Sequence, residues 1–171
     1  MVITRLVTAE DVDVLWEMVY WAAHVDEDDG VTHADMRRDP DLVGHVDDWG
    51  RLGDLGVIGE LGGTPVGAAW LRLFVPGVSD YSAFVDDETP ELVVAVVPAH
   101  VGRGIGSLLL TALYEHADEM YETTVLSVRT GNPAVRLYER FGFRELDRHV
   151  NRVGTESARM LRRSPGPSAR G

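Results

Sequence analysis

Residues Glu91 to His116, ELVVAVVPAHVGRGIGSLLLTALYEH, constrain this chain more than any other stretch. An apolar run of strand length ends at Pro98. A turn follows in which Gly102, Gly104 and Gly106 alternate, and an amphipathic run begins at Ile105. Glycines there let the backbone approach a bulky anion, because no Cβ blocks the way. The first free N–H groups of the following helix point at the same spot, and its dipole adds partial positive charge. Strand, bare turn and helix start together read as a pyrophosphate cradle.

The rest of the chain supplies an α/β frame for that unit. Val2 to Val7 reads as a first strand, with Thr8 as a cap and Asp11 three residues on. Val12, Leu15, Trp16 and Val19 recur at helical spacing and predict a helix to about His24. The acid run Asp26 to Asp29 reads as a loop, and Thr32 or Asp35 opens a second helical region interrupted by Pro40. Gly56 to Leu61 and Val66 to Val75 are two strands joined by Gly62-Gly63, a hairpin signal. Residues 76–90 are a loop, Leu92 to Val97 a strand buried on both faces, and Thr123 to Arg129 a further strand. In the following helix Asn132 caps, Pro133 takes the first turn and Gly142 closes the end. Phe143 to Val150 and Ser157 to Leu161 are closing strands. The order predicts one α/β domain over residues 1–163, a mixed sheet of six to seven strands flanked by about four helices. Residues 164–171 read as a disordered tail.

Composition narrows the function classes. The 171 residues suit one domain, and 44% apolar with 26% charged residues is ordinary for a globular protein. With no cysteine, a thiolate metal site, a disulfide and a cysteine nucleophile are excluded. The six histidines do not cluster at metal spacing, so no metal is expected. A net charge of −12 argues against a nucleic-acid partner, and could steer a cationic amine inward. No run approaches the roughly 20 apolar residues of a membrane helix, nor looks like a signal peptide. A cytoplasmic protein is the default expectation.

The glycine turn lacks the G-x-G-x-x-G spacing of a dinucleotide fold and the Lys-Ser/Thr ending of a P-loop. A second motif decides its meaning. About 30 residues on stands Asn132-Pro133-Ala134-x-x-Leu137-Tyr138-Glu139-x-Phe141-Gly142-Phe143. With Val96-Val97-Pro98-Ala99-His100-Val101-Gly102-Arg103-Gly104-Ile105-Gly106, this pair resembles the GCN5-related N-acetyltransferase (GNAT) family. The element order matches from Val2 to about Leu161.

That resemblance implies acetyl-CoA as co-substrate and acetyl transfer to a primary amine, on a small molecule or a protein, by direct attack in a ternary complex. It implies that the backbone of Val94 and Val96 holds the pantetheine arm. Val101, Gly102, Arg103, Gly104, Ile105, Gly106 and Ser107 would surround the pyrophosphate, and Asn132 would contact pantetheine. Val101 stands where the family usually carries Arg or Gln, which leaves the job to backbone donors. Tyr138 is implied as the general acid that protonates the leaving thiolate; a phenol of pKa about 10 can do so. Core packing also explains Tyr138. Glu91 matches a glutamate that some members use as the base, and could equally be a solvated strand end. The acids Asp80, Asp86, Asp87 and Glu88, or a water chain, are alternatives. His100 lies beside the turn and His149 on a late strand, and neither is assigned a role. The rival function is a non-catalytic acyl-CoA sensor of the same fold. Edge strands near the C-terminus allow a homodimer.

Overall fold

The structure, a computed structural model, describes residues 1–23, 30–74, 83–150 and 154–166. The acid run Asp26 to Asp29, Asp80 and the end of the tail lie outside the described residues. The strands are β1 (Val2–Leu6), β2 (Leu55–Leu61), β3 (Thr64–Arg72), β4 (Glu91–Val96), β5 (Thr123–Arg129), β6 (Arg144–Val150) and β7 (Glu156–Arg163). The α-helices are α1 (Val12–Ala22), α2 (His33–Met36), α3 (Pro40–Val43), α4 (Ile105–Met120) and α5 (Val135–Arg140). They make one seven-stranded sheet in the order β1-β2-β3-β4-β5-β7-β6. All neighbours are antiparallel except β4 and β5, which run parallel.

Strand alternation explains why β4 is apolar from Leu92 onward. Leu92, Val94 and Val96 face a core built with Leu109, Leu110 and Leu113 of α4 and with Phe143. Val93, Ala95 and Val97 face a second core with Leu15, Trp16, Met18 and Val19 of α1 and with Trp70. The sheet therefore separates an α4–α5 face from an α1–α3 face.

Several local signals act as expected. The hairpin turn Gly62-Gly63 has φ of 59° and 80°, which glycine adopts without strain. Thr8 with Asp11 and Thr32 with Asp35 form capping boxes. The five α-helices among the described residues agree with the expected count of about four, and Pro40, where the second helical region breaks, opens its resumed part, α3. The missing N–H of Pro40 is harmless at that position, and Asp39 caps the turn. One expectation is corrected: Asn132 is not the cap residue of α5, which starts at Val135 with Ala134 as its N-cap. The Asn132 Oδ1 accepts from the Ala134 amide at 2.9 Å, a side-chain turn that precedes the helix.

Buried polar ties fix the segment between α3 and β2 on the α1–α3 face. Arg72, 1% exposed, donates to Asp54 at 2.7 and 3.0 Å and to the Asp47 and Gly44 carbonyls. The indole of Trp70 donates to the His45 carbonyl at 3.0 Å, and the Tyr121 hydroxyl donates to the Gly53 carbonyl.

Candidate active site

The site begins where two parallel strands part. The Val125 amide donates to the Pro90 carbonyl at 3.0 Å, and the β4–β5 register is confined to Glu91 opposite Val125. On its other edge β4 stays paired with β3 from Glu91 to Val96, and the Val97 amide donates to the Val66 carbonyl. Antiparallel strands alternate the edge to which each amide points. Val93, Ala95 and Val97 therefore serve β3, and Val94 and Val96 turn their N–H and C=O groups into the gap beside β5. The gap is a slot edged with strand hydrogen-bonding groups.

Past the slot, the chain makes a short 3-10 turn at Pro98–His100 and enters the glycine turn. Gly102 and Gly104 have φ of 79° and 78°, and a Cβ at either would meet nothing within 4 Å. They serve the left-handed backbone and leave open space outside it. Gly106 packs closely: its Cβ would stand 2.9 Å from Leu137 Cδ2, so a larger residue would have to turn the end of that side chain aside. The first intrahelical bond of α4 runs from the Leu108 amide to the Gly104 carbonyl at 3.1 Å. That leaves the amides of Ile105, Gly106 and Ser107 for an anion. Val101 and Arg103 are exposed. The slot and turn thus fit an extended arm that carries a pyrophosphate.

Tyr138 belongs to the α4–α5 face. Its ring packs edge-on to Phe143 with centroids 6.0 Å apart. The end of α5 is fixed by Gly142 (φ 92°), whose amide reaches the Glu139 carbonyl, and by the Phe143 amide donating to the Tyr138 carbonyl. This is a Schellman closure. Burial pushes the Tyr138 phenol up to about 12.

Glu91 belongs to the opposite face. Its side chain is 9% exposed, one oxygen accepts from the Ala83 amide at 3.1 Å, and the other lies 3.5 Å from His45 Nε2. Burial alone would depress the His45 pKa, but the Glu91 carboxylate, helped by the Asp41 backbone carbonyl, more than offsets it and raises the value. Asp86, Asp87 and Glu88 are exposed at the surface of the same loop.

Ser127, Asp147, Arg159 and His149 share this α1–α3 face beyond the slot. Arg159 is cross-strand neighbour to both Ser127 and Asp147, donates to Asp147 and reaches the Phe84 carbonyl at 2.8 Å. His149 Nε2 lies 3.4 Å from the Ser127 hydroxyl, and its Nδ1 is buried with no partner among the described residues. The strand order brings Ser127 and His149 together across β7, and no local motif marks the pair. The His45–Glu91 pair, 46 residues apart, was hidden for the same reason.

Comparison with known proteins agrees with this geometry. Residues 15–143 match the model of the acetyltransferase (GNAT) family. The ribosomal protein bS18-alanine N-acetyltransferase of Haemophilus influenzae is 38% identical over 66 residues, covering 38% of this chain. The match spans 45% of that relative's length. Two solved structures share the fold. The ribosomal-protein-alanine N-acetyltransferase of Brucella melitensis has a TM-score of 0.69 at 23% identity, over 94% of this chain and 99% of that one. The protein yncA of Salmonella typhimurium, solved with its cofactor acetyl-CoA, has a TM-score of 0.68 at 21% identity, over 95% and 94%. A slot between parting parallel strands, a glycine turn at the start of a long helix, and a family match across three quarters of the sequence lead to one statement: this chain belongs to the acetyltransferase (GNAT) family.

Proposed function

We propose that the protein transfers an acetyl group from acetyl-CoA to a primary amine by direct attack, with both substrates bound together. The observation that carries this reading is the slot itself. The free edge of Val94 and Val96 opens onto a bare turn and three helix-start amides. Acetyl-CoA, when bound, supplies an acetyl group in thioester linkage. Val94 and Val96 grip its pantetheine arm as a neighbouring strand would, with Asn132 as a further contact. One of their N–H groups faces the thioester oxygen, where negative charge gathers during attack. Residues Gly102 to Ser107 surround the pyrophosphate.

Because the turn, α4 and Tyr138 occupy one face, the amine arrives from the other, past Glu91 and the Ser127–His149 pair. An ammonium must lose a proton before it attacks. Glu91 accepts that proton through a water, with the Ala83 amide and His45 holding its carboxylate in place. As the C–N bond forms and the C–S bond breaks, Tyr138 gives its proton to the sulfur, and the second proton that the nitrogen sheds on becoming an amide restores the phenol through water; a phenol held at about 12 stays protonated until the sulfur leaves. The similarity to a ribosomal-protein-alanine N-acetyltransferase supports a protein N-terminal amine as the first acceptor to test.

Acetyl-CoA is expected to raise the melting temperature, and an amine panel that includes a peptide beginning with alanine is expected to release free thiol. No thermal shift at saturating acetyl-CoA sinks the assignment. One observation favours a second reading, a non-catalytic acyl-CoA sensor: both carboxylate oxygens of Glu91 are already engaged. Coenzyme binding without turnover on any amine supports the sensor.

A further inference from the structure

The strand order leaves a polar array on the α1–α3 face beside the slot. Ser127 and Arg129 are alternate residues of β5, so their side chains leave the sheet on the same side. Across β7, Arg159 is the neighbour of both Ser127 and Asp147, and Ser157 that of both Arg129 and His149. Arg159 is satisfied: it pairs with Asp147 and donates to the Phe84 carbonyl. Arg129 is different. The chain has 28 carboxylates against 16 basic side chains, all of them arginine. Yet Arg129, exposed at the end of β5, pairs with no carboxylate among the described residues.

His149 sets the direction of the Ser127 hydroxyl. Its Nε2 lies 3.4 Å from the Ser127 oxygen, and its Nδ1 is buried without a partner among the described residues. A buried N–H without an acceptor is rarer in folded proteins than an acceptor without a donor. The ring proton therefore sits on Nε2 and points at the serine oxygen. Ser127 accepts from His149 and keeps its own O–H to donate. The same polarity excludes an activated serine nucleophile, for which Nε2 must accept. Ser127 and Arg129 are thus two donors, one of them cationic, with no acceptor for either among the described residues.

A planar guanidinium beside a hydroxyl suits a carboxylate, whose two oxygens match the guanidinium fork. Glu91 opposes Val125, and Arg129 stands four residues further along the same face, about 13 Å at strand spacing. The Glu91 side chain, a water, an amine and carboxylate on one small molecule, and the arginine stem fill that length. We propose that Ser127 and Arg129, with His149 behind the serine, bind a carboxylate of the acceptor, and that the acceptor is a free amino acid. This rests on the acetyl-transfer reading above and narrows its acceptor. The net charge of −12 draws in the ammonium end, and Arg129 takes the other. A peptide N-terminus carries an amide where this subsite takes a carboxylate.

The test compares amino acids with their own amides as acceptors, by thiol release from acetyl-CoA with the full chain, alongside a peptide beginning with alanine. At least one amino acid is expected to exceed its amide about tenfold or more in kcat/KM, the scale of a charge-assisted hydrogen bond. The amide carries the less basic amine, so intrinsic reactivity at neutral pH does not produce that preference. Arg129→Gln is expected to raise KM for the amino acid about tenfold with kcat kept, and to erase the preference. Arg129→Lys keeps the charge but not the fork and is expected to fall between. Ser127→Ala is expected to move KM the same way by less. Arg129 is exposed, and circular dichroism checks that each variant is folded. An amide or the peptide turned over as well as the best amino acid overturns the subsite and leaves acetyl transfer intact. A preference for the amino acid that survives Arg129→Gln also overturns it. No thiol release from any amine overturns the acetyl-transfer reading and the subsite with it.

Discussion

The two faces of the sheet build their halves of the candidate site by different means. On the α4–α5 face the proposed binding groups are backbone: the free edge of Val94 and Val96, two left-handed glycines and the amides that open α4. On the α1–α3 face they are side chains brought from far apart in sequence, such as His45 with Glu91 and Ser127 with His149. A backbone site tolerates many side chains and fails when the main chain cannot adopt its path. A side-chain site fails when one partner is lost.

The largest effect is expected on the side-chain face. Asp54→Ala strands the buried Arg72 guanidinium, and breaking such a pair costs about 3–5 kcal/mol. Urea denaturation is expected to show that loss, with coenzyme affinity of the folded protein unchanged; weakened coenzyme binding would mean that the two faces are not independent.

Next comes chemistry on the backbone face. Tyr138→Phe is expected to lower thiol release about 100-fold, the lower end of general acid catalysis, without changing the dissociation constant for acetyl-CoA. Unaltered turnover would leave Tyr138 as packing against Phe143 alone.

A smaller effect separates the glycines from their neighbour. Gly104→Ala places a Cβ on a residue at φ 78°, which costs about 1–2 kcal/mol and weakens coenzyme binding. Val101→Ala, at a position 66% exposed, is expected to change neither. If Val101→Ala weakens binding as much, the site depends on side chains after all.

The smallest effect is a pH dependence. The folded pKa of His45 is raised above its unfolded value of about 6.5, so its charged form is the one the fold stabilises. That contribution is fully present below pH about 6.5 and fades as pH rises through the folded value. The stability lead of the unaltered protein over His45→Gln, read from urea midpoints, is therefore expected to be larger at pH about 5.5 than at pH about 8. A lead that grows with pH would rule out the charged pair with Glu91.

The legibility of the sequence follows the same division. The unit from Glu91 to Ser107 and the segment from Asn132 to Phe143 are read from local chemistry, because glycine, proline and asparagine act on backbone within a few residues. Even there the roles needed the fold: Gly106 lies against the end of the Leu137 side chain, and Asn132 makes a turn rather than the helix cap. Pro40 marks a break in the second helical region, but proline both ends and begins helices, and the Asp39 cap shows that it begins α3. Glu91 stands out by its place before the strand, yet its partners Ala83 and His45 follow from packing.

The sequence by itself determined the elements, the alternation that buries β4 on both faces, and the family motifs, since propensity and periodicity are short-range. Tertiary structure alone decided that β4 and β5 part after Glu91, which amides then face the slot, and which side chains meet on the α1–α3 face. Those outcomes depend on strand order and on contacts across tens of residues, and no local rule encodes such distances.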